Sequence, residues 1–246
     1  GWISGNYSVN PLKRYPVDCF QKEFETADVK KARMYVSACG LYELVLNGER
    51  VGDFVLAPGH TDYRKRVQCQ TYDVTVLLKN GENVITAELA DGWYRGSCGA
   101  WGLKNQYGKQ TKLIVQLEIE KADGTRQTVV SDGSWKWSND GAIRMADNQD
   151  GEIVDARLTP SFSGKARAVR HHIWPTSSNN VPVTEHEVFK PSVITTPSGK
   201  KVLDFGQNIA GVVSLELPEN MKAGQTVTMV HTEELNEDGT VYTDVL

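Results

Sequence analysis

Two short stretches of the sequence combine residue types that could bind a small ligand. The first carries large aromatic side chains and an arginine among glycines, at Trp93, Tyr94, Arg95 and Trp101. Aromatic rings can cover the C–H face of a sugar ring while polar groups bind its hydroxyls. The alternative is structural, with Trp93 and Tyr94 filling the interior of a β structure. The stretch is a candidate carbohydrate site, and its packing alternative stays open.

The second stretch, ADNQDGEIVDAR, is rich in oxygen donors. Asp147, Asn148, Asp150 and Glu152 lie within a few residues of one another. Calcium takes about six to eight oxygen ligands, many of them from carboxylates and amides. This pattern makes calcium the one candidate cofactor, although no cofactor is required, and an ordinary solvated turn is the alternative.

The adjacent pair Glu233 and Glu234 invites comparison with the acid and base of a glycosidase. Inverting glycoside hydrolysis needs two carboxyl groups about 6.5 to 9.5 Å apart across the scissile bond. Neighbours on a strand point to opposite faces of the sheet, so these two side chains are poorly placed to act together. The sequence therefore assigns no catalytic residue within this chain.

Alternation of apolar and polar residues dominates the first part of the chain. It is clear from Ala32 to Ala38, from Tyr42 to Leu46 and from Leu113 to Ile119, where it predicts half-buried strands. Asn47-Gly48 is a turn dipeptide that predicts a tight hairpin. No segment longer than about ten residues shows the 3.6-residue apolar period of a capped helix, so the fold class is all-β.

The domain organisation follows from a polar connector. Residues 160 to 182 are rich in serine, threonine, asparagine and proline, which disfavour regular structure, although Ala166 to Trp174 has strand character. We therefore predict two antiparallel β-sandwich, jelly-roll-like domains, at 1–176 and 177–246. Short β runs at 202–205, 212–217 and 226–232 belong to the second domain.

Composition excludes several classes of function. The chain has 246 residues and a net charge of −4, which disfavours nucleic acid as a partner. No apolar run approaches the roughly 18 residues needed to span a bilayer, so no membrane partner is predicted. The four cysteines lack a metal-binding spacing, and we expect buried free thiols; one or two disulfides are the alternative if the protein is exported.

Several motifs in a fixed order resemble those of bacterial α-L-rhamnosidases of glycoside hydrolase family 78. The resemblance covers nearly the whole chain. The motifs are LNGERVG at 46–52, LAPGHTDYRKRV at 56–67, QTYDVTVLLKNGENVI at 70–85, DGWYRG at 91–96, DGEIVDARL at 150–158, VLDFGQNIAGVV at 202–213 and HTEELNEDGTVYT at 231–243.

The resemblance implies an amino-terminal β-sandwich followed by a second β domain, with the catalytic acids in an (α/α)6 barrel that lies downstream. This chain would then be a non-catalytic fragment of an inverting enzyme that hydrolyses terminal α-L-rhamnosyl linkages in glycans. The second domain would be incomplete at its C-terminus, since Thr240 to Val245 begins a β run. The missing barrel and a rhamnose-containing glycan are the implied partners.

Two further points remain open at the level of sequence. Some amino-terminal domains of the family resemble calcium-dependent rhamnose-binding modules, so a carbohydrate-binding module without a catalytic role is the alternative function. The location is not decided either, and export of the parent enzyme, for example to the periplasm, is compatible with the chain.

Overall fold

A computed structural model of the protein describes residues 1–99 and 101–242. Its contacts divide the chain into two units, Gly1–Thr184 and Glu185–Leu246. This division by contacts lies a few residues beyond the domain boundary predicted at 176/177. It does not test the domain boundary, which stays a prediction.

The described residues form short strands with very little helix. The strands are β1 (Ile3–Ser4), β2 (Asp18–Thr26), β3 (Val29–Cys39), β4 (Leu41–Leu46), β5 (Glu49–Arg50), β6 (Gln68–Asp73), β7 (Gly81–Ala90), β8 (Lys112–Lys121), β9 (Arg126–Val130), β10 (Lys136–Ser138), β11 (Ile143–Asp147), β12 (Gly151–Val154), β13 (Gly164–Lys165), β14 (Arg167–Ala168), β15 (Thr176–Ser177), β16 (Ser192–Thr195) and β17 (Lys201–Asp204). The helices are α1 (Gly92–Arg95) and a single 3-10 turn, Thr75–Leu77. No helix in the described part of the chain is long and apolar enough to cross a bilayer.

The first unit is a sandwich of two mainly antiparallel sheets. One sheet has the order β14-β1-β8-β3-β6-β15, with β9 added beside β8, and the other has the order β13-β10-β2-β7-β4-β5. Only the short β15 pairs in parallel with its neighbour, β6, in these two sheets. The all-β, sandwich-type fold class predicted from the alternation is confirmed.

The core of the sandwich comes from the inward-facing residues of both sheets. From β3 and β8 it takes Met34, Val36, Leu117 and their alternating neighbours, and from the second sheet it takes residues such as Phe20. All four of these side chains have no exposed surface. Burying an aliphatic or aromatic side chain of this size contributes roughly 1.5 to 3 kcal/mol, so this layer holds the two sheets together.

The predicted hairpin at Asn47-Gly48 is confirmed. Both residues have positive φ, 55° and 90°, which asparagine and glycine tolerate better than other residues. The Asn47 amide also bonds three groups in β7 and in the 3-10 turn before it: its Nδ2 donates to Asn83 Oδ1 and Leu77 O, each at 2.8 Å, and its Oδ1 accepts from Val84 N at 2.9 Å. A turn residue thus also fastens β4 to the start of β7.

The seven-stranded sheet is partly covered on its outer face as well. Residues 169–175, the crossing segment, connect β14 at one edge of this sheet to β15 at the opposite edge. Val169 and Ile173 pack there on a second apolar cluster built from Trp2, Cys39, Tyr63, Val67 and Tyr94. The strand character proposed for Ala166 to Trp174 is therefore limited to β14, because the crossing segment runs over the sheet and pairs with no strand.

The second unit is far less regular in its described residues. β16 and β17 form a hairpin, which confirms the first predicted run of this region, and a single bridge joins Leu235 to Val241. The runs predicted at 212–217 and 226–232 form no strands, and Val212 is 88% exposed. A strand needs a neighbour to satisfy its backbone, and the described residues offer these two runs none. Of the run predicted from Thr240 to Val245, residues 243–245 lie outside the described residues.

Candidate functional site

The aromatic stretch begins at the end of β7, where the chain turns through α1. Tyr94 is buried, and its ring meets Tyr63 edge-on with centroids 5.3 Å apart. Lys112 Nζ donates to the Tyr94 hydroxyl at 3.4 Å. Tyr94 therefore belongs to the cluster that covers the outer face of the seven-stranded sheet, as its packing alternative proposed.

Arg95 is buried too, and it pairs with Asp91, the residue just before α1. Its Nε donates to Asp91 Oδ1 at 2.7 Å, and its Nη1 donates to the Tyr7 hydroxyl at 2.7 Å. Nη2 lies 2.6 Å from the same Asp91 oxygen but has no well-directed hydrogen bond. Burial acts to lower the pKa of Arg95, but the charge of Asp91 and the interaction with Tyr7 outweigh it and the net shift is upward.

Asp18 is an acidic residue next to Tyr7 and Arg95, and sequence analysis did not single it out. It is fully buried, accepts from Trp137 Nε1 at 2.9 Å and from Thr111 Oγ1 at 3.1 Å, and lies 3.4 Å from the Tyr7 hydroxyl. Burial raises the pKa of Asp18 to about 6, although nearby Arg95 opposes the shift. Nothing in the sequence marks Asp18, because its neighbours Trp137 and Thr111 are remote along the chain.

Trp93 and Trp101 occupy different environments. Trp93 is half-buried and stacks on His60 with ring centroids 5.4 Å apart, and Tyr107 meets His60 edge-on at 6.0 Å. Trp101 is 86% exposed. Of the four residues predicted to bind carbohydrate, Tyr94 and Arg95 are interior, whereas Trp93 and Trp101 reach the surface. Their role in sugar binding stays a prediction.

The acidic segment forms the turn between β11 and β12. Asp147 accepts hydrogen bonds from the backbone N–H of Ser97, Gln149 and Asp150 at 2.7, 2.9 and 3.0 Å, and pairs with Arg14. Burial acts to raise the pKa of Asp147, but these donors and Arg14 hold it below its usual value.

The other predicted calcium ligands are arranged loosely around this turn. Asp150 pairs with Arg14 and lies 3.1 Å from Lys104 Nζ, while Asn148 and Glu152 are exposed. In residues 1–99 and 101–242 no group of three or more His, Cys, Asp or Glu side chains is placed to hold a metal ion. The side chains of Arg14 and Lys104 already pair with the carboxylates of Asp147 and Asp150, so calcium would have to displace these two cationic side chains. Calcium binding stays a prediction.

A buried thiol and an imidazole also meet under the crossing segment. Cys39 Sγ lies 3.6 Å from His171 Nε2, and Lys112 Nζ lies 3.2 Å from His171 Nδ1. Burial raises the pKa of Cys39 to about 12, whereas burial, Lys112 and His172 lower the pKa of His171 to about 4. Both groups are neutral near pH 7, so this pair has neither the thiolate nor the imidazolium of a catalytic dyad.

Comparison with known families covers almost the whole chain. The family model described as "Alpha-L-rhamnosidase N-terminal domain" matches residues 27–196. The chain belongs to this family. A second family model, "Bacterial alpha-L-rhamnosidase concanavalin-like domain", matches residues 194–246. The resemblance inferred from the motifs is confirmed.

Curated relatives of this rhamnosidase-family chain are described as α-L-rhamnosidases. An α-L-rhamnosidase of Streptomyces avermitilis is 43% identical over 233 residues, covering 87% of this chain and 22% of that protein. One from Formosa agariphila is 36% identical over 239 residues, covering 91% of this chain and 25% of that protein. The chain thus spans about a quarter of the length of the curated relatives it matches.

Solved structures agree with the sequence comparison. The crystal structure of the Streptomyces avermitilis α-L-rhamnosidase complexed with L-rhamnose matches with a TM-score of 0.79 and 37% identity, over 93% of this chain and 23% of that chain. The native α-L-rhamnosidase of Aspergillus terreus matches with a TM-score of 0.77 and 36% identity, over 85% of this chain and 26% of that chain.

Proposed function

We propose that residues 1–246 are the amino-terminal, non-catalytic β domains of a longer inverting α-L-rhamnosidase that hydrolyses terminal α-L-rhamnosyl linkages in glycans. In this proposal the two carboxylic acids that cleave the bond lie in a downstream barrel, and the present domains support that barrel. The observation that carries it is the match of two successive rhamnosidase domain families, at 27–196 and 194–246, in a chain that spans about a quarter of its relatives.

The chemistry of the first unit supports a structural role. Its buried carboxylates are engaged by fixed partners: Asp91 by Arg95, Asp147 by Arg14, and Asp18 by neutral donors. An inverting glycosidase instead needs a carboxylic acid and a carboxylate that both face a water-filled cleft. Carboxylates held in this way stabilise the fold and are poorly placed for proton transfer to a glycan.

The test compares two polypeptides on an aryl α-L-rhamnoside. The 246-residue chain should release no aryl group above background, whereas a polypeptide that continues through the downstream region should hydrolyse the substrate. Proton NMR at early times should show the β anomer of L-rhamnose as the first product, as inversion requires. Turnover by the 246-residue chain alone, or failure of the longer polypeptide to hydrolyse any rhamnoside, would overturn the proposal.

The calcium prediction is part of the same proposal and has its own test. If Asp147, Asn148, Asp150 and Glu152 bind calcium, titration calorimetry should show a saturable heat that vanishes with Asp150→Asn. The matched control is Asp155→Asn, because Asp155 lies in the same acidic segment and pairs with Arg157. Absence of heat with millimolar calcium would reject the site.

A further inference from the structure

The hairpin of β11 and β12 forms a small sheet of its own, and its edge differs from the edges of the two large sheets. Each large sheet has a strand of only two residues at both ends of its order, namely β14, β15, β13 and β5. β12 has four residues, Gly151–Val154, and among the described strands it pairs with β11 alone. Its other edge therefore presents backbone N–H and C=O groups without a neighbouring strand.

Two large apolar side chains accompany this open edge. Ile153 is 56% exposed and Val154 is 55% exposed, and they are the only exposed large apolar residues in the described strands of the first unit. Neighbouring residues of a strand point to opposite faces, so both faces of β12 carry an uncovered apolar side chain. Sheet edges that stay in water are usually short or carry lysine or proline. β12 is longer than the four edge strands above and has neither residue.

The hairpin is anchored to the rest of the first unit through β11. Ile143 O, at the start of β11, accepts from Val17 N at 3.1 Å. Asp147, at its end, accepts from Ser97 N at 2.7 Å, and Ala146 is buried. An incoming strand would thus meet an edge that is already ordered, which lowers the entropy cost of pairing.

We propose that the open edge of β12 is the docking site for a β-strand of the same polypeptide, from the part that follows residue 246. The inference rests on the proposed function, in which these domains begin a longer enzyme. The chain covers 22% and 25% of two curated relatives, so a polypeptide of that length has most of its residues outside this chain. A strand tethered in the same molecule has a high effective concentration, so it can pair with a short edge.

The edge specifies the chemistry of the strand that it receives. Main-chain hydrogen bonds supply the pairing, and the side chains of the edge select the sequence. Ile153 and Val154 favour β-branched or aromatic neighbours on both faces. Glu152 shares a face with Val154, and burial together with the charges of Glu43 and Glu152 raises the pKa of Glu88. This excess of negative charge favours a lysine or arginine opposite Glu152 on the incoming strand.

Amide hydrogen exchange compares this edge in the 246-residue chain and in a polypeptide that continues through the downstream region. Mass spectrometry follows the peptides that contain β12. We expect the amides of the open edge to exchange at least tenfold more slowly in the longer polypeptide, because they gain hydrogen bonds to the docked strand. In the 246-residue chain the same amides should exchange rapidly.

Ile153→Lys tests the apolar contact. In the longer polypeptide it should return the exchange of β12 most of the way to the rate of the 246-residue chain, because docking would bury a lysine. Ile153→Val keeps a β-branched apolar side chain and should retain slow exchange. Val76→Lys is the matched control and should change nothing at β12, since Val76 is 91% exposed in the 3-10 turn. Ile153→Lys should leave the melting temperature of the 246-residue chain unchanged, which shows that the variant folds.

Photocrosslinking identifies the occupant of the edge. Benzoylphenylalanine placed at position 154 of the longer polypeptide should crosslink to a segment that follows residue 246. The yield should not depend on protein concentration, because both partners belong to one molecule. Mass spectrometry of the crosslinked peptides measures which segment is joined.

Two results would overturn the inference. The first is equal exchange of β12 in the two polypeptides. The second is a crosslink from position 154 that forms only between copies, with a yield that rises with protein concentration, which would assign the edge to a second copy. Turnover of an aryl rhamnoside is measured separately. An active longer polypeptide with an unprotected β12 would reject the docking site alone, whereas an inactive one with a protected β12 would reject the proposed function alone.

Discussion

The two units of this chain have similar apolar alternation but different degrees of folding. In the first unit the alternating residues of β3 and β8 face a second sheet and lose almost all contact with solvent. In the second unit the run 212–217 alternates in the same way, yet its residues are exposed and form no strand. Alternation therefore predicts a strand only where partner strands and a second layer are present to receive it.

The physical reason is that a β-strand is stabilised by contacts that are remote in sequence. Each backbone N–H and C=O of a strand must find a partner on a neighbouring strand or stay in water. An apolar side chain likewise gains free energy only when another surface covers it. The second unit has β16 and β17 as a local hairpin, and the remaining runs lack such partners in the described residues.

Amide hydrogen exchange should show the largest difference between the two units. We expect the amides of Met34 and Leu117 to open only with global unfolding, at a cost of about 5 kcal/mol or more, since both lie in paired central strands. The amides of Val213 and Leu215 should exchange at nearly unprotected rates. Mass spectrometry or NMR resolves both sets in one sample, and equal protection would contradict the comparison.

Truncation of one core side chain should have the next largest effect. Phe20 is fully buried between the sheets, and Phe20→Ala should lower the free energy of unfolding by about 3 to 5 kcal/mol because it leaves a cavity. Val212→Ala in the second unit is the control and should stay within about 0.5 kcal/mol, since Val212 is 88% exposed. Urea unfolding followed by tryptophan fluorescence measures both, and a comparable loss for Val212→Ala would show that the second unit has a core of its own.

The pH dependence of stability should reveal Asp18. Its pKa is about 6 in the folded protein and near its ordinary value of 3.8 when unfolded, so the folded state holds the proton more tightly. The contribution of Asp18 to stability is then fully present below about pH 4 and falls as pH rises towards 6, by at most about 1.4 kcal/mol for each pH unit. Asp18→Asn cannot ionise, so we expect the slope between pH 4 and 6 to become flatter.

Asp140 provides the matched control for this pH effect. A hydrogen bond from Ser161 is the main reason that the pKa of Asp140 is lowered to about 2. Its contribution to stability is present above about pH 4 and is lost as pH falls towards 2. Asp140→Asn should therefore leave the slope between pH 4 and 6 unchanged, and an equal flattening by both variants would reject Asp18 as the source.

The smallest expected effect concerns the turn of the second unit. Thr196 is buried, and its Oγ1 accepts a hydrogen bond from Lys200 N at 3.0 Å across the β16–β17 turn. Thr196→Val should destabilise the hairpin locally by about 1 kcal/mol, seen as faster exchange of the Lys200 amide. Thr195→Val is the control, because Thr195 is exposed on the adjacent strand position. A similar response to both variants would mean that the bond to Lys200 has no special role.

Much of the first unit could be predicted from local patterns. The hairpin at Asn47-Gly48 depends on two neighbouring residues that tolerate positive φ, and the inward faces of β3 and β8 depend on a period of two. The motif order was sufficient to indicate the family as well. These features depend on residues close together in the chain, so they are visible without coordinates.

The candidate sites were predicted less completely. Trp93 and Trp101 do reach the surface, but Tyr94 and Arg95 lie inside because Tyr63, Tyr7 and Asp91 enclose them. A groove beside Pro175 on the outer face of the seven-stranded sheet was not predicted at all. Its residues look like an ordinary outward strand face, and Pro175 turns that face into a groove only because the crossing segment returns over the sheet.

The sequence by itself determined the all-β fold, the Asn47-Gly48 turn and the membership of the rhamnosidase family, because each depends on residue types at short, regular spacing. Tertiary structure decided which alternating runs became strands, why Asp18 is buried with a raised pKa, and where the outer face of the sheet is open. These outcomes depend on pairing and burial between segments that are far apart in the sequence, in some cases by more than a hundred residues, as in the contact of Asp18 with Trp137. No local pattern encodes the solvent exposure of a site whose walls come from such remote segments.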